Sequence, residues 1–169
     1  MQKFSQFYNF VKKNSDLYSR EEAKNLKENF WTKFGQYMSV IPSAEGDKIN
    51  WVNYKTGIKH LYFRMKTSNK SAEIYIEISH PDLGIRHLMF TQLEELKLVF
   101  QEKIQEEWDW DEFYTDDDGK GMSKISISIS KLSVFNKDNW PDLISFFKPR
   151  LIALDEFWSI AKYSFEIFK

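Results

Sequence analysis

The hydrophobic positions of this chain keep two rhythms, and the change of rhythm divides it. Near the N-terminus Phe4, Phe7, Tyr8 and Val11 recur at helical intervals. After an interruption at Asn14-Ser15, a second helical stripe runs through Ala23, Leu26, Phe30, Phe34, Tyr37 and Met38. Glu21 and Glu22 fall in the first turn of that second helix, where the helix dipole favours negative charge, and Pro42 and Gly46 end it. Period two then takes over. Leu61, Phe63 and Met65 alternate with His60, Tyr62, Arg64 and Lys66, and Ile74, Ile76 and Ile78 alternate with Glu73, Tyr75, Glu77 and Ser79. Each pattern predicts a half-buried strand. A strand at 49–54, turning at Thr56-Gly57, is expected to precede them in a three-stranded meander.

Helical spacing returns at Ile85, Leu88, Met89, Leu93, Leu96, Phe100 and Ile104, an amphipathic helix of about five turns. A fourth strand is predicted from Trp108 to Tyr114. Asp116-Asp117-Asp118-Gly119 reads as a turn, and Ile125, Ile127 and Ile129, alternating with Ser126, Ser128 and Ser130, predict a fifth strand. The last helix carries Phe147, Leu151, Leu154, Trp158, Ala161, Phe165 and Phe168, with a kink expected at Pro149. The order α-α-β-β-β-α-β-β-α predicts an α+β fold: a single domain over 1–169, with 1–18 as an N-terminal helical extension. Its antiparallel sheet of about five strands is expected to carry the helices packed on one face. All six isoleucines at 74, 76, 78, 125, 127 and 129 should face those helices, because a one-residue slip would expose the row.

Composition changes this picture in three ways. The chain has 169 residues, 42% hydrophobic and 29% charged, which are globular values. Its 24 basic and 25 acidic residues leave a net charge of −1, which argues against a generally basic nucleic-acid coat or a membrane-surface protein. The absence of cysteine excludes disulfides and thiolate chemistry and fits a reducing, cytoplasmic setting. No apolar run approaches the ~20 residues that a bilayer requires, and no signal-peptide core is present, so no membrane partner is expected. The unusual quantity is the aromatic content, 17%, from 15 Phe, 8 Tyr and 6 Trp. Phe4, Phe7, Phe10, Phe165 and Phe168 exceed what one stripe buries at each terminus, and some are expected on a partner surface such as a homodimer interface.

Candidate chemistry thins out on inspection. Pro81-Asp82 followed by Glu95-Leu96-Lys97 resembles a nuclease pattern, but Glu95 and Lys97 fall within one helix and point away from each other. The Asp116–Gly119 run, aligned as a calcium loop, would put Tyr114 and Ile125 at the end positions that require Asp and Glu. His60, His80 and His87 have no metal-ligand spacing, although His80 and His87 flank one turn and could approach each other. No catalytic residue, metal ligand or cofactor is expected. One asymmetry survives. Residues 48–70 hold Lys48, Lys55, Lys59, Arg64, Lys66 and Lys70 and no acidic residue, while residues 102–118 hold nine acidic residues against Lys103 alone. The alternation puts Tyr62, Arg64 and Lys66 on one strand face with Tyr75 beside them. This is a candidate platform for stacking the bases and holding the phosphates of single-stranded nucleic acid. Glu73 and Glu77 share that face and work against it. The simpler expectation is that the basic hairpin packs near the acidic strand and each neutralises the other.

Taken in order, a set of landmarks resembles an uncharacterised bacterial family, domain of unknown function 4268, over about residues 25–165. The landmarks are Phe30-Trp31 with Phe34, Trp51 and Tyr54, Leu61-Tyr62-Phe63, Glu73-Ile74-Tyr75-Ile76, and Phe90 with Leu93 and Lys97. They continue with Trp108 to Trp110, Ser123-Lys124-Ile125, Asn139-Trp140 and Phe157-Trp158. Members of that family stand alone or follow an N-terminal restriction-endonuclease-like domain, so the resemblance implies a loose link to DNA metabolism or defence. This sequence holds no such N-terminal domain, and the family offers no catalytic residues to carry over. The expected function is a non-enzymatic binding module for nucleic acid or a DNA-processing protein. A structural homodimerisation module is the alternative, and an unrecognised enzyme or nuclease accessory domain ranks behind both.

Overall fold

The alternating segments build four strands, not five: β1 (Leu61–Thr67), β2 (Ser71–Ile78), β3 (Asp109–Thr115) and β4 (Gly121–Ser130). They form one antiparallel sheet in the order β1-β2-β4-β3. The structure, a computed structural model, describes the backbone of residues 2–169, and the side chains from Ser19 onward with those of Lys3 and Gln6. Four helices complete the α+β architecture: α1 (Gln2–Met38), α2 (Leu83–Glu95), α3 (Lys97–Ile104) and α4 (Trp140–Ala161), the last running into a 3-10 helix at Lys162–Phe168. Among the described residues no helix is long and apolar enough to cross a membrane.

The expected strand at 49–54 is a loop. Its apolar residues are bound individually: the Trp51 indole N–H donates to the Ile41 carbonyl at 2.9 Å, and Tyr54 turns its hydroxyl toward α4. Side-chain bonds thus hold a segment that was expected in a ladder. The two expected N-terminal helices are one, since Asn14 and Ser15 each cost a helix interior only tenths of a kcal/mol. Conversely, the expected helix from Ile85 to Ile104 divides at Leu96, whose N–H bonds the Leu93 carbonyl at 3.0 Å in a tightened turn. The bend lets the Phe100 ring meet Trp108, Trp110 and Phe157 at 5.3–5.5 Å. Helix α4 continues through Pro149, which lies on its solvent side.

Most of the aromatic surplus is core. Phe30 and Phe34 of α1 pack on Phe147 of α4, Phe30 also meets Trp140, and Phe63 of β1 lies between Tyr54 and Trp158. Burying each such ring contributes roughly 1.5–3 kcal/mol. Gly35 of α1 sits where a Cβ would come within 3.2 Å of Val52 Cγ2, so helix and loop approach closely at that point. Phe165 is fully buried and Phe168 half-buried, which removes Phe165 from any partner surface. Phe4, Phe7 and Phe10 lie outside the described side chains.

Ile74, Ile76, Ile78 and Ile125 are buried under the helices as the register requires. Ile127 is half-buried and Ile129 is 38% exposed, because the cover ends before the last residues of β4, where Ser128 and Ser130 are exposed too. The six-isoleucine expectation therefore fails at its final member. Ile76→Asp should unfold the protein by burying an unpaired charge, at a cost of several kcal/mol. Ile129→Asp should leave the melting temperature within a few degrees of wild type. Thermal unfolding followed by circular dichroism separates the two.

Candidate functional site

Opposite the isoleucine row, alternation turns the polar residues outward, and they assemble into a closed lattice. Tyr62, Arg64 and Lys66 of β1 stand across from Glu77, Tyr75 and Glu73 of β2. The Arg64 guanidinium lies 4.1 Å from the Tyr62 ring centroid, and its Nε donates to Glu77 at 3.2 Å. Lys120 reaches the same carboxylate at 3.7 Å. Lys124, itself buried, pairs with Glu73 at 2.7 Å while its ammonium lies 4.7 Å from the Tyr75 ring and 4.2 Å from that of Tyr114. The structure thus brings Tyr62, Arg64, Lys66 and Tyr75 onto one face. Tyr75 is its floor, only 5% exposed, with Lys66 also above it at 5.9 Å. Burial, then the Glu77 and Glu73 charges, push the Tyr75 phenol up to about 12, against the opposing influence of Arg64.

The two oppositely charged segments do not meet. β1 and β3 are the two edges of the sheet, about 14 Å apart across three strand spacings. Among the described residues no ion pair joins 48–70 to 102–118. Glu106 instead holds Arg150 at 2.6 Å, Glu112 bonds His87, and Arg64 uses Glu77. The expected mutual neutralisation is therefore corrected: β2 and β4 stand between the partners it needed. Lys48, Lys55, Lys59, Lys66 and Lys70 are all exposed and have no ion-pair partner among the described residues.

The loop outside β1 is fastened by Asp155 of α4, which is 5% exposed. Tyr54 Oη donates to Asp155 Oδ1 and the Ala44 amide to Oδ2, both at 2.6 Å. The Trp158 indole N–H donates to the Thr56 carbonyl at 2.8 Å, and Lys162 holds Glu45 at 2.7 Å beside them. Burial, and then the bond to Asp155, hold the Tyr54 phenol far above its ordinary range. Both Asp155 oxygens are engaged, so this carboxylate clamps the loop to α4. Sequence reasoning missed it, although an acidic residue beside Leu154 within the apolar stripe of the last helix was a legible signal. The clamped loop and β1 enclose a groove of about 420 Å³, lined by Val52–Lys59 and Leu61–Met65.

The remaining candidates have local partners. Asp82 caps α2, its Oδ1 accepting from the Ile85 amide at 2.9 Å, while Glu95 closes the far end of the same helix, roughly 20 Å away. Asp116 Oδ1 accepts from the Asp118 and Lys120 amides at 3.0 and 2.8 Å in the β3–β4 turn, where Gly119 takes the left-handed conformation (φ 79°). The rings of His60 and His80 meet edge to face at 4.9 Å, and the His80 Nδ1 accepts from the Asp82 amide at 3.0 Å. Among the described residues no three His, Asp or Glu converge as a metal site would require.

A family model described as a domain of unknown function (DUF4268) matches residues 26–162. No curated protein and no solved structure matches the chain.

The two tyrosines give the stability a pH dependence of definite sign. With both folded-state values raised, the unfolded chain releases its phenolic protons first. Their contribution is complete below the ordinary value of 10.0 and declines as pH rises beyond it. Tyr75→Phe should flatten that decline. Tyr54→Phe should flatten it too and, by leaving Asp155 Oδ1 without its donor, cost about 1–3 kcal/mol at neutral pH. Urea unfolding at neutral pH and at about pH 11 reads both effects.

Proposed function

The chain belongs to the DUF4268 family, whose description names no activity, and from that premise we propose a non-enzymatic interaction module that works through the basic margin of its sheet. One observation carries the proposal: Lys55, Lys59, Lys66 and Lys70, in the loop, strand and turn around β1, are exposed and unpaired among the described residues, while the acidic segment lies at the opposite edge. Unneutralised cations on one margin attract and orient an acidic partner even when the net charge is close to zero. The polar group most suggestive of catalysis, Asp155 with Tyr54, is occupied in fastening the loop that borders this margin. The cysteine-free sequence and the family resemblance support a bacterial cytoplasmic setting, with a DNA-processing protein as the kind of partner.

A second reading, single-stranded nucleic acid bound on Tyr62, Arg64, Lys66 and Tyr75, is favoured by the Arg64–Tyr62 stack and the exposed Lys66. Glu73, Glu77 and the coverage of Tyr75 weigh against it. The experiment is fluorescence anisotropy at about 50 mM salt with a labelled single strand and, separately, a labelled polyglutamate peptide. The expected result is peptide binding that Lys55→Glu/Lys59→Glu/Lys66→Glu weakens by about tenfold or more. Oligonucleotide binding that Tyr62→Ala weakens would favour the second reading instead. Failure of both probes, or indifference to the triple variant, would sink the module reading.

A further inference from the structure

An edge strand directs every second pair of backbone N–H and C=O groups away from the sheet, and the ladder identifies which pairs these are in β1. The Ser79 amide donates to the His60 carbonyl and the Ser68 amide to the Ser71 carbonyl, each at 2.9 Å. In the register that runs from Leu61↔Ile78 to Thr67↔Ala72, those bonds turn the backbone of Tyr62, Arg64 and Lys66 toward β2. The backbone of Leu61, Phe63 and Met65 is turned outward. Leu61 is already satisfied: its carbonyl accepts from Thr56 Oγ1 at 2.7 Å and its amide donates to Ile58 at 3.3 Å. At the other end the Val134 amide closes on the Ser68 carbonyl at 3.1 Å. Between these closures Phe63 and Met65, their backbone groups turned outward, line the groove of about 420 Å³ walled by Val52–Lys59.

We propose that this groove takes up an extended acidic segment of a partner protein as an added strand on β1; the inference rests on the interaction-module reading and names the partner's chemistry. Such strand addition draws affinity from main-chain bonds and specificity from alternate side chains. The charge is complementary, because Lys55 and Lys59 stand on the wall, Lys66 on the strand face, and no acidic residue occurs anywhere in 48–70. The apolar side of the groove, with Tyr54, Ile58 and Met65, suits apolar residues at the intervening positions. The occupant is therefore a segment that alternates carboxylate and apolar side chains. The two edges of the sheet also differ in the way docking requires. β3 is blunted by a bulge between Asp111 and Tyr114, with Asp111 Oδ1 accepting from the Phe113 amide at 3.0 Å. β1 keeps unbroken register over its seven residues and contains no proline.

The test titrates the full chain with a labelled eight-residue peptide of alternating Glu and Val, and follows amide hydrogen exchange by NMR. Binding should raise the protection of the Phe63 and Met65 amides. Replacing Glu by Lys in the peptide, or N-methylating the peptide nitrogens that face β1, should each weaken binding by about tenfold. Met65→Pro, which removes an outward donor that edge strands can spare, should do the same; if that variant does not fold, the N-methylated peptide probes the same main-chain bonds on the wild type. Peptide binding that leaves the two amides unchanged overturns the proposal. So does equal binding of the Lys peptide, or a dimer in which both amides are already protected by a second copy. Polyglutamate binding sensitive to Lys55, Lys59 and Lys66 with the amides unprotected refutes strand addition alone and leaves the module reading standing. Failure of every acidic probe refutes both.

Discussion

Because β2 is hydrogen-bonded to β1 on one side and to β4 on the other, its register cannot slip without breaking two ladders at once. That constraint governs both faces of the sheet. It holds Ile74, Ile76 and Ile78 against the helices and, by the same alternation, commits Glu73, Tyr75 and Glu77 to the outer side. Two carboxylates and a buried phenol in a row are costly unless cations cover them. Arg64, Lys120 and Lys124 meet that requirement from β1, the β3–β4 turn and β4. The outer lattice is thus the complement of the hydrophobic inner face.

How much of this was legible in the sequence follows from the range of the interactions. Strands β1, β2 and β4 were readable because each is decided by its own period of two, and α4 because its apolar stripe repeats over many turns. A strand was expected at 49–54 as well, yet the region is a loop because Trp51, Tyr54 and Thr56 find partners at Ile41, Asp155 and Trp158. The contacts with Asp155 and Trp158, which span 101 and 102 residues, leave no trace in a local pattern. The division at Leu96 has the same origin, for no glycine or proline marks it and only the position of Phe100 among three other rings accounts for it. Of the candidate site, the shared face of Tyr62, Arg64, Lys66 and Tyr75 was readable from alternation alone. The separation of the basic and acidic segments was not, because it depends on the strand order, which places β4 beside β2.

The Asp155 clamp shows how a buried carboxylate can define a surface it never touches. Its two bonds fix the ends of a segment from Ala44 to Tyr54 against α4, and that segment leads directly into the wall facing β1. The shape of the groove therefore depends on a charge held within the protein. A substitution at Asp155 would alter the outer margin without changing any residue of the margin itself.

The strand order has an electrical consequence as well. With Lys55, Lys59, Lys66 and Lys70 around β1 and Asp109, Asp111 and Glu112 on β3, charge is distributed unevenly between the two edges of the sheet although the net charge of the chain is −1. Net charge governs drift in a uniform field, but torque depends on the dipole. A strongly anionic body within about a Debye length, ~8 Å at physiological salt, would therefore favour approach from the lysine side before any contact forms. Isoelectric behaviour would report a nearly neutral particle. Orientation at a charged boundary would reveal a polar one.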